Sequence, residues 1–166
     1  IIKFTRHKSG KKNLPLIPIL ARIFAKPNLE KSIRKILDQE KDISAIINIG
    51  LPLNQLKGLA HDLKKIYHLP IFFFDVDLPT SLPEHGGFTF DYYTGADLAE
   101  YDSFIITSEG SQLRLKEMGA LSVDVVHIGI DPNEYLPMDL EKDLDIFFYG
   151  HNGRTREKFV KMMVTE

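Results

Sequence analysis

The 166-residue chain contains no cysteine. This absence excludes a disulfide scaffold, cysteine-bound zinc and catalysis by a thiol. An excess of one charge is also lacking, because 21 Lys and Arg stand against 23 Asp and Glu and the formal net charge is −2. So small a net charge gives the whole protein no attraction to nucleic acid, and we expect no nucleic-acid partner.

Long apolar runs are lacking as well. The apolar stretch at residues 14–25, LPLIPILARIFA, is interrupted by Pro15, Pro18 and Arg22. It is also shorter than the ~20 apolar residues that an α-helix needs to span a bilayer. The absence of cysteine is compatible with a cytosolic protein, and we expect a cytoplasmic location.

A basic segment precedes this stretch. Residues 1–12 contain no acid and five cationic side chains, namely Lys3, Arg6, Lys8, Lys11 and Lys12. Two interpretations stay open: peripheral contact with anionic lipid at the inner face of a membrane, or a solvated basic loop followed by a buried helix. The segment superficially resembles the start of a signal peptide, but IIKF at residues 1–4 favours a first strand.

Short apolar runs alternate with segments of helical periodicity. Strands are predicted at residues 1–5, 43–49, 70–74, 103–107, 122–128 and 145–150, and helices at residues 28–40, 56–67 and 109–118. Asn28 and Ser108 are suitable N-caps, and Gly119 suits a left-handed C-terminal stop. Strands that are apolar on both faces and alternate with helices predict an α/β fold, a Rossmann-like parallel sheet covered by helices.

Ligands of open α/β sheets bind beyond the carboxyl ends of the strands. Asp75 and Asp77 directly follow the strand PIFFF, and His85 lies in the Pro- and Gly-rich loop after them. These three residues are the candidate catalytic groups. The simpler alternative is that the two carboxylates organise the loop and that His85 is a solvated loop histidine.

The D-x-D pattern of Asp75 and Asp77 resembles two enzyme motifs. One is the nucleophile motif D-x-D-x-T of haloacid-dehalogenase-like phosphohydrolases, but Pro79 stands in the threonine position. The basic sequence HNGRTR also follows DIFFYG, where that family has the acidic pair that holds Mg²⁺. The other is the metal-binding D-x-D of GT-A glycosyltransferases, for which no further acidic or histidine ligand is evident.

A third resemblance covers roughly residues 70–160. The strand VDVVHI leads into Gly129-Ile130-Asp131 and Tyr135-Leu136-Pro137, after which DIFFYG opens a loop with basic residues. This order resembles GT-B glycosyltransferases of the group 1 and spore-maturation-like kind, at the point where their first domain passes into the second. The resemblance implies an N-terminal, acceptor-side domain at residues 1–140, with a linker and the start of a truncated second Rossmann-like domain at 141–166.

The resemblance also implies a function. Such enzymes transfer a sugar from a nucleotide-sugar donor to an acceptor, and no metal or other cofactor is expected. The matching residues for the donor diphosphate are Arg154, Arg156 and Lys158, and those at the interdomain cleft are Gly129, Asp131 and Gly150. Gly10, outside the resemblance, is a further candidate at the cleft, because a glycine after the first predicted strand allows a ligand to approach the backbone closely. This stretch of chain alone is expected to be inactive. A haloacid-dehalogenase-like phosphohydrolase and a non-catalytic, flavodoxin-like binding module remain the alternatives.

Overall fold

A computed structural model describes residues 16–78, 81–86, 92–136, 138–139, 141 and 162. The chain divides into two compact units, Ile1–Gly129 and Ile130–Glu166. The predicted strands at residues 1–5 and 145–150 lie outside the described residues.

The first unit is built on a four-stranded parallel sheet. Its strands are β1 (Ile46–Ile49), β2 (Ile71–Asp75), β3 (Ser103–Ile106) and β4 (Val123–Val125), and they lie side by side in the order β1-β2-β3-β4. All four were predicted from their apolar runs; β1, β3 and β4 are shorter than their runs, and β2 is shifted by one residue. The parallel sheet with intervening helices confirms the α/β, Rossmann-like fold.

The helices are α1 (Leu16–Leu20), a π-helical turn (Ala21–Ala25), α2 (Lys26–Gln39), α3 (Leu59–Tyr67), α4 (Pro83–Gly86) and α5 (Gln112–Glu117). Short 3₁₀ turns occupy Leu53–Gln55, Leu98–Glu100 and Glu109–Ser111. The Pro- and Gly-rich loop after Asp77 therefore contains the short helix α4 within its described residues.

The predicted N-cap at Asn28 is wrong. The backbone is already helical at Ala25, and the Asn28 side chain donates to the Phe24 carbonyl oxygen (2.9 Å) inside the helix. Pro27 explains the π-helical turn, since proline has no N–H and its ring clashes with the carbonyl four residues earlier. The chain widens there, and the Lys26 N–H donates to the Ala21 carbonyl oxygen, five residues back.

The start of α3 also differs from the prediction. The helix begins at Leu59 rather than Leu56 because Gly58 has a left-handed backbone (φ +85°), which interrupts the helical run. The Gly58 N–H donates to both carboxylate oxygens of Glu100 (2.7 and 2.9 Å). A contact 42 residues away in sequence therefore fixes this boundary.

One end of α5 follows the sequence and the other does not. Gly119 is left-handed (φ +103°), as predicted. The Gly119 N–H donates to Lys116 O and the Ala120 N–H to Leu115 O (both 3.0 Å), which is the Schellman pattern. The predicted cap at Ser108 is wrong: Ser108 precedes the 3₁₀ turn without a capping side-chain bond, and α5 starts after Ser111.

The core lies on one face of the sheet. Sheet residues and helix residues share a single buried cluster, which includes Ile71, Phe73, Phe104, Ile106 and Val123 from the strands and Leu37, Leu59, Leu63 and Leu115 from the helices. Parallel crossovers are right-handed, so strands placed in sequential order keep their connecting helices on the same side. Coverage by helices is therefore one-sided in the part of the chain that the structure describes.

The opposite face of the sheet is apolar but contributes nothing to this core among the described residues. By register it carries Ile47, Ile49, Phe72, Phe74 and Ile105. The two β1 side chains are exposed, and the other three are half-buried. Among the residues that the structure describes, helices thus cover one face of the sheet, in part as expected.

Asp102 fixes the junction between β2 and β3. Its backbone N–H donates to the Ile71 carbonyl oxygen (2.9 Å), and its carboxylate accepts from the Ile71 N–H (2.7 Å) and from Lys64 Nζ (2.8 Å). Burial raises the pKa of Asp102, but the hydrogen bonds from Lys64 and Ile71 outweigh it, so the pKa lies below its usual value.

We expect Asp102→Ala to lower the free energy of unfolding by about 1–2 kcal/mol, because the Ile71 N–H loses a charged acceptor. Asp102→Asn keeps an acceptor and should cost less. With the folded-state pKa below the unfolded one, the stabilisation is present above pH ~4 and is lost as the pH falls further. Urea unfolding at pH 7 and at pH 3 measures both effects. Equal pH dependence in the wild type and in Asp102→Asn would contradict this account.

Candidate functional site

The carboxyl ends of the strands form one edge, because all four strands are parallel. Asp75 closes β2 and lies in register with Ile106 of β3, which is paired in turn with Val125 of β4. The alternation of side chains along β2 turns Asp75 toward the same face as Phe73. The acidic residue thus ends a strand but points into the helix-covered core.

The Asp75 carboxylate is buried, with 2% of the residue exposed. One oxygen, Oδ1, accepts from the backbone N–H of Asp77 (2.8 Å). The other, Oδ2, accepts from the Ser81 hydroxyl (2.6 Å) and from the Tyr93 hydroxyl (2.7 Å). Three donors from the loop after β2 therefore converge on one carboxylate.

Tyr93 is held as a proton donor. Burial raises the pKa of its hydroxyl well above the ordinary value, and the nearby negative charge of Asp75 raises it further. The phenol therefore keeps its proton. Its ring packs edge-on against Phe73 (centroids 6.2 Å apart) and near Phe104 (6.3 Å). The loop thus returns an aromatic side chain to the centre of the core.

This geometry favours an organising role for Asp75. A carboxylate that attacks phosphorus or binds Mg²⁺ needs an oxygen open to substrate or metal. In Asp75 both oxygens accept hydrogen bonds within the fold. No group of three or more His, Asp and Glu side chains suited to a metal ion occurs in the described parts of the chain.

The other two candidate catalytic residues lie further along the same loop. Asp77 is exposed. Burial raises the pKa of the Tyr92 hydroxyl, and the negative charges of Asp77 and Asp75 raise it further. His85 belongs to α4, and its side chain is outside what the structure describes. An ion pair from Arg114 Nε to Glu84 Oε1 (2.5 Å) joins α4 to α5. That Asp77 and His85 take part in a reaction stays a prediction.

The predicted cleft residues fall on different units. Gly129 is exposed and closes the first unit. In the second unit, Asp131 organises a turn: its Oδ1 accepts from the Asn133 N–H (2.8 Å), and its carbonyl oxygen accepts from the Tyr135 N–H (3.0 Å). The remaining predicted residues, Gly10, Gly150, Arg154, Arg156 and Lys158, lie outside the described residues.

Sequence reasoning missed Ser81 and Tyr93. They lie 6 and 18 residues after Asp75, without fixed spacing or charge to mark them. The signal in the sequence that could have pointed to such donors was the position of Asp75 at the end of an apolar strand. An acid that ends an apolar strand on its core-facing side must find donors, and hydroxyl groups in the following loop are the nearest source.

The chain matches no protein-family model, no curated protein and no solved structure. In the described residues, no helix is long and apolar enough to cross a membrane.

We expect Asp75→Ala to lower the free energy of unfolding by about 3 kcal/mol or more, because it leaves three donors without their acceptor, and each buried one costs ~1–3 kcal/mol. Tyr93→Phe, which removes one donor, should cost ~1–2 kcal/mol. Asp77→Ala is the matched control and should stay within ~0.5 kcal/mol of the wild type. Urea unfolding compares the three variants. A wild-type midpoint for Asp75→Ala would contradict the organising role.

Proposed function

We propose that the chain is the acceptor-side part of a nucleotide-sugar-dependent glycosyltransferase of GT-B architecture. The observation that carries this proposal is the engagement of Asp75. Both oxygens of Asp75 accept hydrogen bonds from the loop, which disfavours the interpretation of the D-x-D pattern as a nucleophile or a metal site. The pattern of residues 129–137 then becomes the most specific signal in the sequence.

Two features of the fold support the proposal. A parallel α/β sheet is the architecture that a GT-B half requires. The division between Gly129 and Ile130 falls within the G-I-D pattern, with which such enzymes close their first domain, although it precedes the predicted boundary at residue 140. A binding module would share both features, and turnover is the property that separates a transferase from it.

The proposed mechanism is stabilisation of the leaving group. The acceptor forms a bond to the sugar's anomeric carbon as the bond from that carbon to the nucleoside diphosphate breaks. The proton of the acceptor passes to a base, and negative charge develops on the diphosphate. Arg154, Arg156 and Lys158 would stabilise that charge, since guanidinium groups bind phosphate oxygens in pairs. Asp77 and His85, on the loop that Asp75 organises, are the candidates for contact with the acceptor.

The test is turnover of nucleotide sugars by the full-length protein, measured as release of nucleoside diphosphate over a panel of donors. We expect Arg154→Ala or Arg156→Ala to lower kcat about 10²–10³-fold, the usual cost of removing one donor to developing charge. Arg34→Ala is the matched control, because Arg34 pairs with Glu30 on the surface of α2 and should leave turnover unchanged. Absence of turnover and of nucleotide-sugar binding over the panel would overturn the proposal.

A second measurement addresses the phosphohydrolase alternative. We expect no Mg²⁺-dependent hydrolysis of a generic phosphoester, because Asp75 is buried and both of its oxygens already accept hydrogen bonds within the fold. Asp75→Asn is the informative variant, provided that its circular dichroism shows a folded protein. Hydrolysis in the wild type that disappears in Asp75→Asn would replace the transferase with the hydrolase.

A further inference from the structure

The helical segment before β1 carries a solvent-exposed apolar surface. Four large side chains in α1 and the π-helical turn are exposed: Ile19 43%, Leu20 51%, Ile23 56% and Phe24 66%. We call these four residues the outer patch. Single exposed apolar residues are common, but four large ones in six consecutive residues form a continuous surface.

The spacing of the outer patch places its members on one side of the helix. Ile19 and Ile23 are four residues apart, as are Leu20 and Phe24, and such pairs are neighbours on a helix surface. The other side of the same segment faces the protein. There Ala21 is buried, and Arg22 Nε donates to the Asn54 carbonyl oxygen (2.7 Å). The outer patch is therefore part of a helix fixed to the domain.

Charge is distributed very unevenly around the outer patch. Residues 1–29 contain seven Lys and Arg and no Asp or Glu, while the other residues carry 14 Lys and Arg against 23 Asp and Glu. Within this first stretch, Lys26 is bound to Asp62 and Arg22 to a carbonyl oxygen. The five cations of residues 1–12 directly precede the patch in the chain. An apolar surface is thus coupled to positive charge in a protein of negative net charge.

We propose that the outer patch, together with the basic residues before it, docks the protein on the surface of an anionic lipid bilayer. The apolar side chains enter the boundary between headgroups and acyl chains, and the cations bind lipid phosphate and carboxylate groups. Interfacial helices combine these two features, and their affinity is the sum of the buried apolar area and the attraction to anionic lipid. The inference does not depend on the reaction that the protein catalyses.

Charge also decides against a second copy of this chain as the occupant of the outer patch. Each copy carries an acid-free basic segment next to the patch in sequence, and like charges at an interface between two copies are unfavourable. With an anionic lipid surface as the partner, burial of the apolar side chains and attraction of the cations both favour binding.

The first experiment uses the absence of tryptophan from the chain. Phe24→Trp places the chain's single tryptophan in the outer patch, and its emission can be excited selectively at wavelengths that tyrosine does not absorb. On addition of vesicles with 30% phosphatidylserine in phosphatidylcholine, we expect its emission to move to shorter wavelength. Ile36→Trp is the matched control, since Ile36 is 53% exposed on α2, roughly 18 Å further along the helix, and its emission should not move. An unchanged spectrum for Phe24→Trp would overturn the proposal.

The second experiment measures vesicle co-sedimentation. Ile23→Ser with Phe24→Ser should weaken binding about tenfold or more, and Lys11→Gln with Lys12→Gln should weaken it roughly fivefold per charge. Ile36→Ser should bind like the wild type. Neutral phosphatidylcholine vesicles and high salt should both reduce binding. Salt-insensitive binding, or serine variants that bind as the wild type does, would overturn the proposal. The proposal would also be overturned if the serine variants lost self-association but bound lipid as the wild type does.

Discussion

The carboxylate of Asp75 is the one charged group among the buried residues that the structure describes. A buried charge is costly unless hydrogen bonds replace its water, and here the replacement comes from Asp77, Ser81 and Tyr93. Supplying these donors forces the chain after β2 to fold back over the end of its own strand. The same return inserts the Tyr93 ring beside Phe73, so the polar network and the aromatic core form together.

The one-sided core follows from the order of the strands. Each strand lies next to its predecessor, so every right-handed crossover leaves its helices on the same face. That face collects Phe73, Phe104 and Ile106, the most deeply buried strand residues. The other face keeps Phe72, Phe74 and Ile105 half-buried. The apolar character of both faces, visible in the sequence, therefore does not mean that both belong to the same core.

Element types were predictable from the sequence, and several boundaries were not. Apolar runs and helical periodicity located all four described strands and the helices α2, α3 and α5, because both patterns reflect local burial. The start of α3 depends on Glu100, and the start of α2 on Pro27, which overrides the local cap preference of Asn28. The cap preference of Ser108 is also not realised, since a 3₁₀ turn precedes α5. The D-x-D motif shows the same limit. Its two carboxylates are evident in the sequence, but the hydroxyl donors that occupy Asp75 become neighbours only after folding.

The exposure of the outer patch has its origin in the sequence of the helical segment. The core-facing row of α2 consists of Leu37, Ile33 and Leu29. Toward the N-terminus, steps of three or four residues extend this row to Ala25, then to Ala21 and Arg22, and then to Pro18. The two alanines are small, Arg22 is charged, and Pro18 has a cyclic side chain. These are the residues of the segment that are buried or half-buried, whereas Ile19, Leu20, Ile23 and Phe24 fall off the row. Small residues on the inner side let the helix approach the domain closely, and the large apolar ones are left on the outer side by their positions in the sequence.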